Sequence, residues 1–313
     1  TEANPAFTGL TGIWSVAFNN QGAGTSGGYW NFGQAPLHAS ATYNSASGGY
    51  FRYTPPTGFL ALCQANLPTP AILNPEEHHN VYTVTKSGDT NFTLDWDASV
   101  YDTYFEIKQR NGTGDWYNVD GLRGYDKILK SNSTAAETTD ANVIGVSGTT
   151  ITLKSTLANG TYVISAWKAG LSASRQTNTD GSITSTVSRN VDSGFAIVTY
   201  TGTGANATVG HGLASTPELV IVKNRQSAYE WIVGNKSLTS WAYYLNLNTT
   251  IAQTNSATVF NSTSPTSSVF SVGANATTNE NTKSHVAYCF HSVEGYSKIG
   301  SYVGNGSADG PFV

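Results

Sequence analysis

The sequence predicts an all-β protein built as tandem β-sandwich domains, jelly-roll or lectin-like, with the first domain partial. Three observations predict it. Short β-branched and aromatic runs bounded by Gly or Pro recur along the chain. Helix-period amphipathic stretches are nearly absent. Two stretches of roughly a hundred residues repeat one another, which outranks any local signal.

The strand runs are explicit. Thr161-Tyr162-Val163-Ile164-Ser165-Ala166-Trp167 ends at Gly170, Phe195-Ala196-Ile197-Val198-Thr199-Tyr200 ends at Gly202, and Glu218-Leu219-Val220-Ile221-Val222-Lys223 follows Pro217. The best helix candidate is short and polar, from Thr134 to Asp140. Many short strands with closely spaced turn residues read as sandwiches or barrels.

The repeats set the organisation. Ile107-Lys108-Gln109-Arg110 with Trp116 recurs as Val222-Lys223-Asn224-Arg225 with Trp231, at an offset of 115. Leu129 to Thr138 matches Leu245 to Thr254 at an offset of 116. Tyr162-Val163 through Trp167 matches His285-Val286 through Phe290 at an offset of 123. A drift in one direction is what loop insertions produce between two copies of one fold. Gly194-Phe195 and Tyr200-Thr201-Gly202-Thr203-Gly204 also resemble Gly295-Tyr296 and Tyr302-Val303-Gly304-Asn305-Gly306, the opening of a third copy.

The predicted domains are therefore 1–76, a sandwich region ending in Leu67-Pro68-Thr69-Pro70 and Asn74-Pro75; 77–170, copy one; 171–193, a linker or edge hairpin with the turn Asp180-Gly181; 194–294, copy two; and 295–313, the start of copy three. Copies arranged in series give reach without one large core. The chain opens Thr1-Glu2-Ala3 and holds no Met, which reads as a missing native start.

Composition narrows the function classes. Charged residues make 12% of the chain, against roughly 25% in ordinary soluble domains. The polar surface is made of hydroxyls and amides. A net charge of −4 with 16 Lys plus Arg argues against nucleic-acid binding. No run of apolar residues has the length of a membrane-spanning helix. Cys63 and Cys289 read as two buried thiols, and their spacing does not argue a disulfide.

Asn31-Phe32-Gly33-Gln34, Phe51 to Phe59 with Thr54-Pro55-Pro56, Leu62-Cys63 and Asn66 to Pro70 resemble the C-terminal end of SPRY-type, concanavalin-like domains of large tailed-phage virion proteins. The repeats resemble those that follow such domains there. Asn132 to Asp140, Ala166-Trp167-Lys168-Ala169-Gly170, Thr179-Asp180-Gly181-Ser182 and Ser301 to Val313 carry that likeness. In the family several strands precede Asn4 to Leu10, and Ala35 to Tyr50 reads as an insertion. The resemblance implies a fibre, spike or surface protein on the virion exterior, working as a homo-oligomer, a trimer by analogy. Its implied partners are other virion proteins and a host cell-surface glycan or protein. It implies no catalytic residue and no cofactor. A capsid decoration or head fibre, a bacterial adhesin and, last, a glycan depolymerase are the alternatives.

Candidate sites were weighed against plain structural roles. Gly22 to Gly27 fits a dinucleotide-loop pattern, but Tyr29-Trp30-Asn31-Phe32 reads as strand, so a hairpin loop is expected. Asp95, Asp97 and Asp102 are carboxylates for Ca²⁺ or for a hydrolytic pair, against a solvated loop or edge, with Trp96 turned inward. His78 and His79 are adjacent and point to opposite faces, and His211, His285 and His291 are scattered, so no metal site is expected. Lys108 with Arg110, and Lys223 with Arg225, form a recurring cationic pair. That pair reads either as a ligand or interface surface for acidic sugars or a neighbour's carboxylates, or as stems packed over Trp116 and Trp231 with the charge snorkelling out. Trp167 and Phe290 are expected in the core. Trp14, Trp30, Tyr29, Tyr43, Tyr50 and Tyr53 include candidates for a sugar-binding face.

Overall fold

The structure is a computed structural model that describes residues 70–308 and residue 310, with Thr42–Asn44, Gly49–Phe51, Thr57, Ala61 and Asn66 before them. The chain divides into two units, Thr1–Thr69 and Pro70–Val313. In the first, β1 (Thr42–Asn44) pairs antiparallel with β2 (Gly49–Phe51), and the Asn66 amide donates to the Ala61 carbonyl at 2.8 Å. The Gly22 to Gly27 loop, Cys63 and the side chains of Trp14, Tyr29, Trp30, Tyr43, Tyr50 and Tyr53 lie outside the described residues.

The second unit is all-β, as the sequence predicts. Its first repeat comprises β3 (His79–Lys86), β4 (Thr90–Thr93), β5 (Tyr101–Gln109), β6 (Trp116–Asp120), β7 (Gly124–Lys130), β8 (Thr138–Thr139), β9 (Ile144–Ser147), β10 (Thr150–Leu153) and β11 (Gly160–Leu171). Next come β12 (Gln176–Asn178) and β13 (Ser185–Asn190). The second repeat comprises β14 (Phe195–Thr201), β15 (Ala207–Gly210), β16 (Leu219–Asn224), β17 (Ile232–Asn235), β18 (Tyr243–Asn246), β19 (Thr254–Asn255), β20 (Val269–Val272) and β21 (Ser284–Phe290). One helical turn, α1 (Ala276–Asn279), is the α-helix among the described residues, and the amide of Thr277 is capped by the Asn275 side chain. Thr134 to Asp140 is not helical: it is a loop ending in β8, because its hydroxyls and Glu137 bond to neighbouring segments rather than to a helical turn.

Both repeats have the same strand order. The first large sheet runs β3-β11-β5-β6-β7-β8, and the second runs β12-β13-β14-β21-β16-β17-β18-β19. Without the β12–β13 hairpin, each reads first strand, last strand, third, fourth, fifth, sixth. The pairing registers repeat at the sequence offsets. Ile107 opposite Tyr117 becomes Val222 opposite Ile232, Lys127 opposite Thr139 becomes Tyr243 opposite Asn255, and Ile107 opposite Ile164 becomes Val222 opposite Ala287. Each large sheet is covered by a small one, β4-β10-β9 or β15-β20. The sheets are open, not barrels. Gly194, at φ +70°, opens β14, and a Cβ there would meet the His291 carbonyl oxygen at 2.6 Å. Gly295 repeats that left-handed conformation at φ +75°, but residues 298–308 beyond it form no strand.

Period-two alternation sorts the side chains into three cores. Phe105 and Ile107 of β5 face the first sandwich interior with Ile151 and Leu153 of β10. Val220, Val222, Ala287 and Cys289 face the second with Phe270 and Val272. The opposite faces of the two large sheets meet each other over their central strands, while Val81, Thr83 and Thr85 of β3 stay exposed. Tyr104, Leu129, Ile197, Trp231 and Tyr288 form a third core between them. The repeats are thus stacked face to face, not arranged in series as expected. The second face of each large sheet mixes apolar residues, Tyr104 and Leu129 or Ile197, Trp231 and Tyr288, with polar ones, and stacking buries the apolar part.

A buried polar network crosses this middle layer. Arg123 and Asp120, both with fully buried side chains, pair at 2.6 Å. Arg123 also meets Glu137 at 2.8 Å, and Arg225 of the second repeat grips Glu137 through two bonds of 2.8 and 2.7 Å. The Tyr288 hydroxyl donates to Asp120 at 2.8 Å and accepts from Arg123 at 3.2 Å. Burial opposes the charge on Arg123, but Asp120 and Glu137 outweigh it and push its pKa up. Removing one member of such a buried pair costs about 3–5 kcal/mol because the other charge is stranded. Arg123→Met should therefore lower unfolding free energy by about that amount in a urea titration, and Tyr288→Phe, which removes hydrogen bonds to the charged Asp120 and Arg123, by about 1.5–3 kcal/mol.

Candidate functional site

Three of the four recurring cations bond other protein groups, and the two copies use them differently. Lys223 is fully buried, so it is no surface ligand group and its charge does not snorkel out. Its ammonium donates to the Thr134 carbonyl at 2.9 Å and the Tyr229 carbonyl at 2.6 Å. Burial pulls its pKa down to about 8. Arg225 is bound to Glu137 as above. Together they clamp the Lys130 to Glu137 loop of the first repeat onto the second, helped by the Trp231 indole donating to the Lys130 carbonyl at 2.9 Å. In the first repeat Lys108 donates to the Gly114 carbonyl at 2.5 Å and lies 6.0 Å from the Trp116 ring centre. Arg110 is exposed. The copies differ because Trp231 is covered by the neighbouring repeat, whereas Trp116 is 38% exposed.

The acids are not brought together. Asp95 accepts from the Asn80 amide at 2.8 Å and from the Tyr82 hydroxyl at 2.5 Å. Asp97 lies in the turn after β4, not on a strand, and accepts from the Ser99 amide and hydroxyl, which hold its carboxyl below the usual range. Asp102 is buried and gripped by Arg175 through bonds of 2.9 and 2.6 Å. Trp96 is turned inward, its indole donating to the Thr103 hydroxyl at 2.8 Å. Among the described residues no group of three His, Cys, Asp or Glu could hold a metal ion. Cys289 is buried and free, and burial pushes its thiol up.

Trp167 and Phe290 are not sandwich core. They lie half-buried on the middle-layer face, ring centres 6.4 Å apart and nearly edge to face. They line a cavity of about 400 Å³ at the open side of that layer, with His79, Tyr104, Glu106 and Phe195. Trp167 stacks on Tyr104 at 5.2 Å, and His79, its cross-strand partner, lies 4.7 Å from it. Tyr296, Ser297 and Ile299 form one wall. The polar groups here are poorly matched. Glu106 has the Ser131 hydroxyl at 3.4 Å, and burial raises its pKa while that bond partly opposes the rise. His79 Nε2 and His291 Nε2 are buried without a hydrogen-bond partner, and burial lowers the His79 pKa. Buried polar atoms are otherwise almost always paired, so flat rings beside unmatched donors and acceptors suit a ligand that has both a face and hydroxyls.

Sequence reasoning missed Glu106, and weighed His79 only as a metal ligand. The signal was present in Tyr104-Glu106-Lys108, which alternates against Phe105-Ile107: the second face of β5 carries an aromatic and an acid, unlike a wetted strand face.

A protein-family model described as "Domain of unknown function (DUF7483)" matches residues 75–313. No curated protein and no solved structure matches the chain.

Two imidazoles that do not line the cavity set a pH dependence. His211 accepts from the Leu213 amide at 3.1 Å, and His285 stacks on Tyr200 at 5.1 Å. Burial pulls each down to about 4 from the usual 6.5. Between those values the unfolded chain binds more protons than the folded one, so stability is lost as pH falls from about 6.5 to about 4. Urea midpoints across that window should drop, and His211→Gln should flatten the drop relative to the parent.

Proposed function

The chain belongs to the DUF7483 family of domains of unknown function, and from that premise we propose that it is a non-enzymatic structural protein of a bacteriophage virion, a tail-fibre or spike part that holds host-surface glycan. The observation that carries the binding half is the aromatic cavity between the repeats, where Trp167, Tyr104 and Phe290 offer flat faces beside the unpaired Nε2 atoms of His79 and His291 and the weakly bonded Glu106. A sugar ring has an apolar face for the indole and hydroxyls for the imidazoles and the carboxyl. Among the described residues lining the cavity Glu106 is the one carboxyl group, and paired-acid hydrolysis takes two. That favours holding over cleaving.

The virion half rests on the resemblance of the repeats and of the Ser301 to Val313 run to tailed-phage proteins, together with a charge-poor surface of hydroxyls and amides. Assembly as a trimer suits it, because multivalency raises weak single-site binding by about 10²–10⁴. Light scattering of the purified chain measures the oligomer, and antibody labelling of particles separates tail from head.

A glycan array probed with the full chain should give binders, and Trp167→Ala should weaken them about tenfold, the equivalent of about 1.4 kcal/mol, while Trp167→Phe retains most of the affinity. Turnover of a bound glycan, or no effect of Trp167→Ala, would overturn the reading.

A further inference from the structure

A second concavity lies on the opposite face of the same strands. Trp167 and Lys168 are consecutive on β11 and point to opposite sides, and His78, in the turn that leads into β3, immediately precedes His79, the first residue of that strand. His79 and Trp167 line the aromatic cavity, whereas His78 and Lys168 line a separate pocket of about 360 Å³, closed on its other side by Arg189, Asn190 and Asp192. The pocket therefore sits where β11 of the first repeat meets β13 of the hairpin that extends the second.

Its walls are fixed. The Asn190 amide reaches the Lys168 carbonyl at 3.2 Å and the His78 Nδ1 at 2.9 Å. The Lys168 amide donates to the His78 carbonyl at 2.9 Å, and the Gly170 amide donates to the Ser188 hydroxyl at 3.1 Å. The strands are tied across the pocket, so its shape exists before any ligand arrives.

The charges are what set it apart. Most basic side chains of this unit are satisfied: Arg123, Lys127, Lys130, Arg175, Arg225 and Lys236 by carboxylates, Lys86, Lys108, Lys154 and Lys223 by carbonyls. Lys168 and Arg189, like Arg110, Lys283 and Lys298, pair with no carboxylate among the described residues, but these two line one pocket together, with Asp192 beside them. The Lys168 ammonium rests 4.2 Å from the Tyr101 ring centre, which holds it in place and leaves its donors unfilled. Arg189 bonds the Gly212 carbonyl through one nitrogen and keeps further donors.

We propose that this pocket binds the carboxylate of an acidic sugar, a hexuronate unit of a glycan, between Lys168 and Arg189, with Asp192 and Asn190 taking the sugar hydroxyls. Two cations against one acid leave the lining suited to a single negative charge rather than to a phosphate dianion. A lone Asp beside them is what an acceptor for sugar hydroxyls requires, and a pocket selecting a simple anion would exclude it. The inference rests on the glycan-binding reading above, but at a different set of side chains.

Calorimetric titration of the full chain with a galacturonate trisaccharide, its neutral galactose counterpart and inorganic phosphate tests it. The uronate should bind at least tenfold more tightly than the neutral sugar. Its affinity should weaken as salt rises and fall about tenfold in Lys168→Gln and in Arg189→Gln. Circular dichroism of each variant checks that the fold is kept. The proposal is overturned by equal affinity for the acidic and neutral sugars, by unchanged uronate binding in both folded variants, by phosphate competing as well as the uronate, or by no uronate binding at all. Trp167→Ala separates this proposal from the aromatic cavity. Lost neutral-glycan binding with uronate binding intact assigns the two ligands to two sites. A silent Trp167→Ala removes the cavity reading and leaves this pocket standing.

Discussion

Tyr104 of the first repeat and Tyr288 of the second stack with ring centres 4.2 Å apart, and around that contact the two large sheets bury their second faces. A sheet whose second face carries Tyr104 and Leu129, or Ile197, Trp231 and Tyr288, leaves apolar surface in water when alone, so each repeat is completed by the other. The buried Arg123–Asp120–Glu137–Arg225 cluster crosses this layer and bonds the Tyr288 hydroxyl. Its net worth against an apolar alternative is small, because desolvating charges offsets most of their attraction. What such a cluster does is penalise wrong registers, since any slip of one sheet over the other strands a charge. The Glu137 backbone repeats the message: its amide donates to the Arg225 carbonyl at 2.7 Å.

How the recognition surfaces arise follows from that stacking. The repeats share a strand order but not a neighbourhood. The Lys130 to Glu137 loop lies over Trp231 and Lys223, while the equivalent Leu245 to Thr254 segment leaves Trp116 partly open. Near-identical local chemistry therefore becomes interior clamp in one copy and surface in the other. The aromatic cavity opens in the same layer, lined by His79, Tyr104 and Trp167 of the first repeat and Phe195, Ile221 and Phe290 of the second.

Much of the architecture was legible in the sequence. The offsets read from Ile107 and Val222, from Leu129 and Leu245, and from Tyr162 and His285 reappear as matching registers, because a register is fixed by the alternation of side chains that the repeat preserves. Asn132 and Asn248, equivalent in sequence, even make the same bond to the amides of Trp116 and Trp231, both at 3.0 Å. What was not legible was the fate of the second face. Alternation in Tyr104 to Lys108 marks two faces but does not say whether water or another sheet meets the one bearing the acid. For that reason Lys223 reads as a surface cation when it is interior, and Trp167 reads as core when it borders a cavity. Pairings across seventy or more residues, such as Asp102 with Arg175, leave no local mark.

The strand order has a further meaning for how the chain is made. In both repeats the last strand, β11 or β21, lies between the first and the third. No sheet can close as the polypeptide emerges in order; a slot beside the first strand stays open until the repeat is almost fully synthesised. Contacts of such sequence separation are slow to form, and the half-built sheet exposes two unpaired strand edges in the meantime. A chain with this topology assembles late and as a whole, and its sensitive period is the interval on the ribosome rather than the life of the finished molecule.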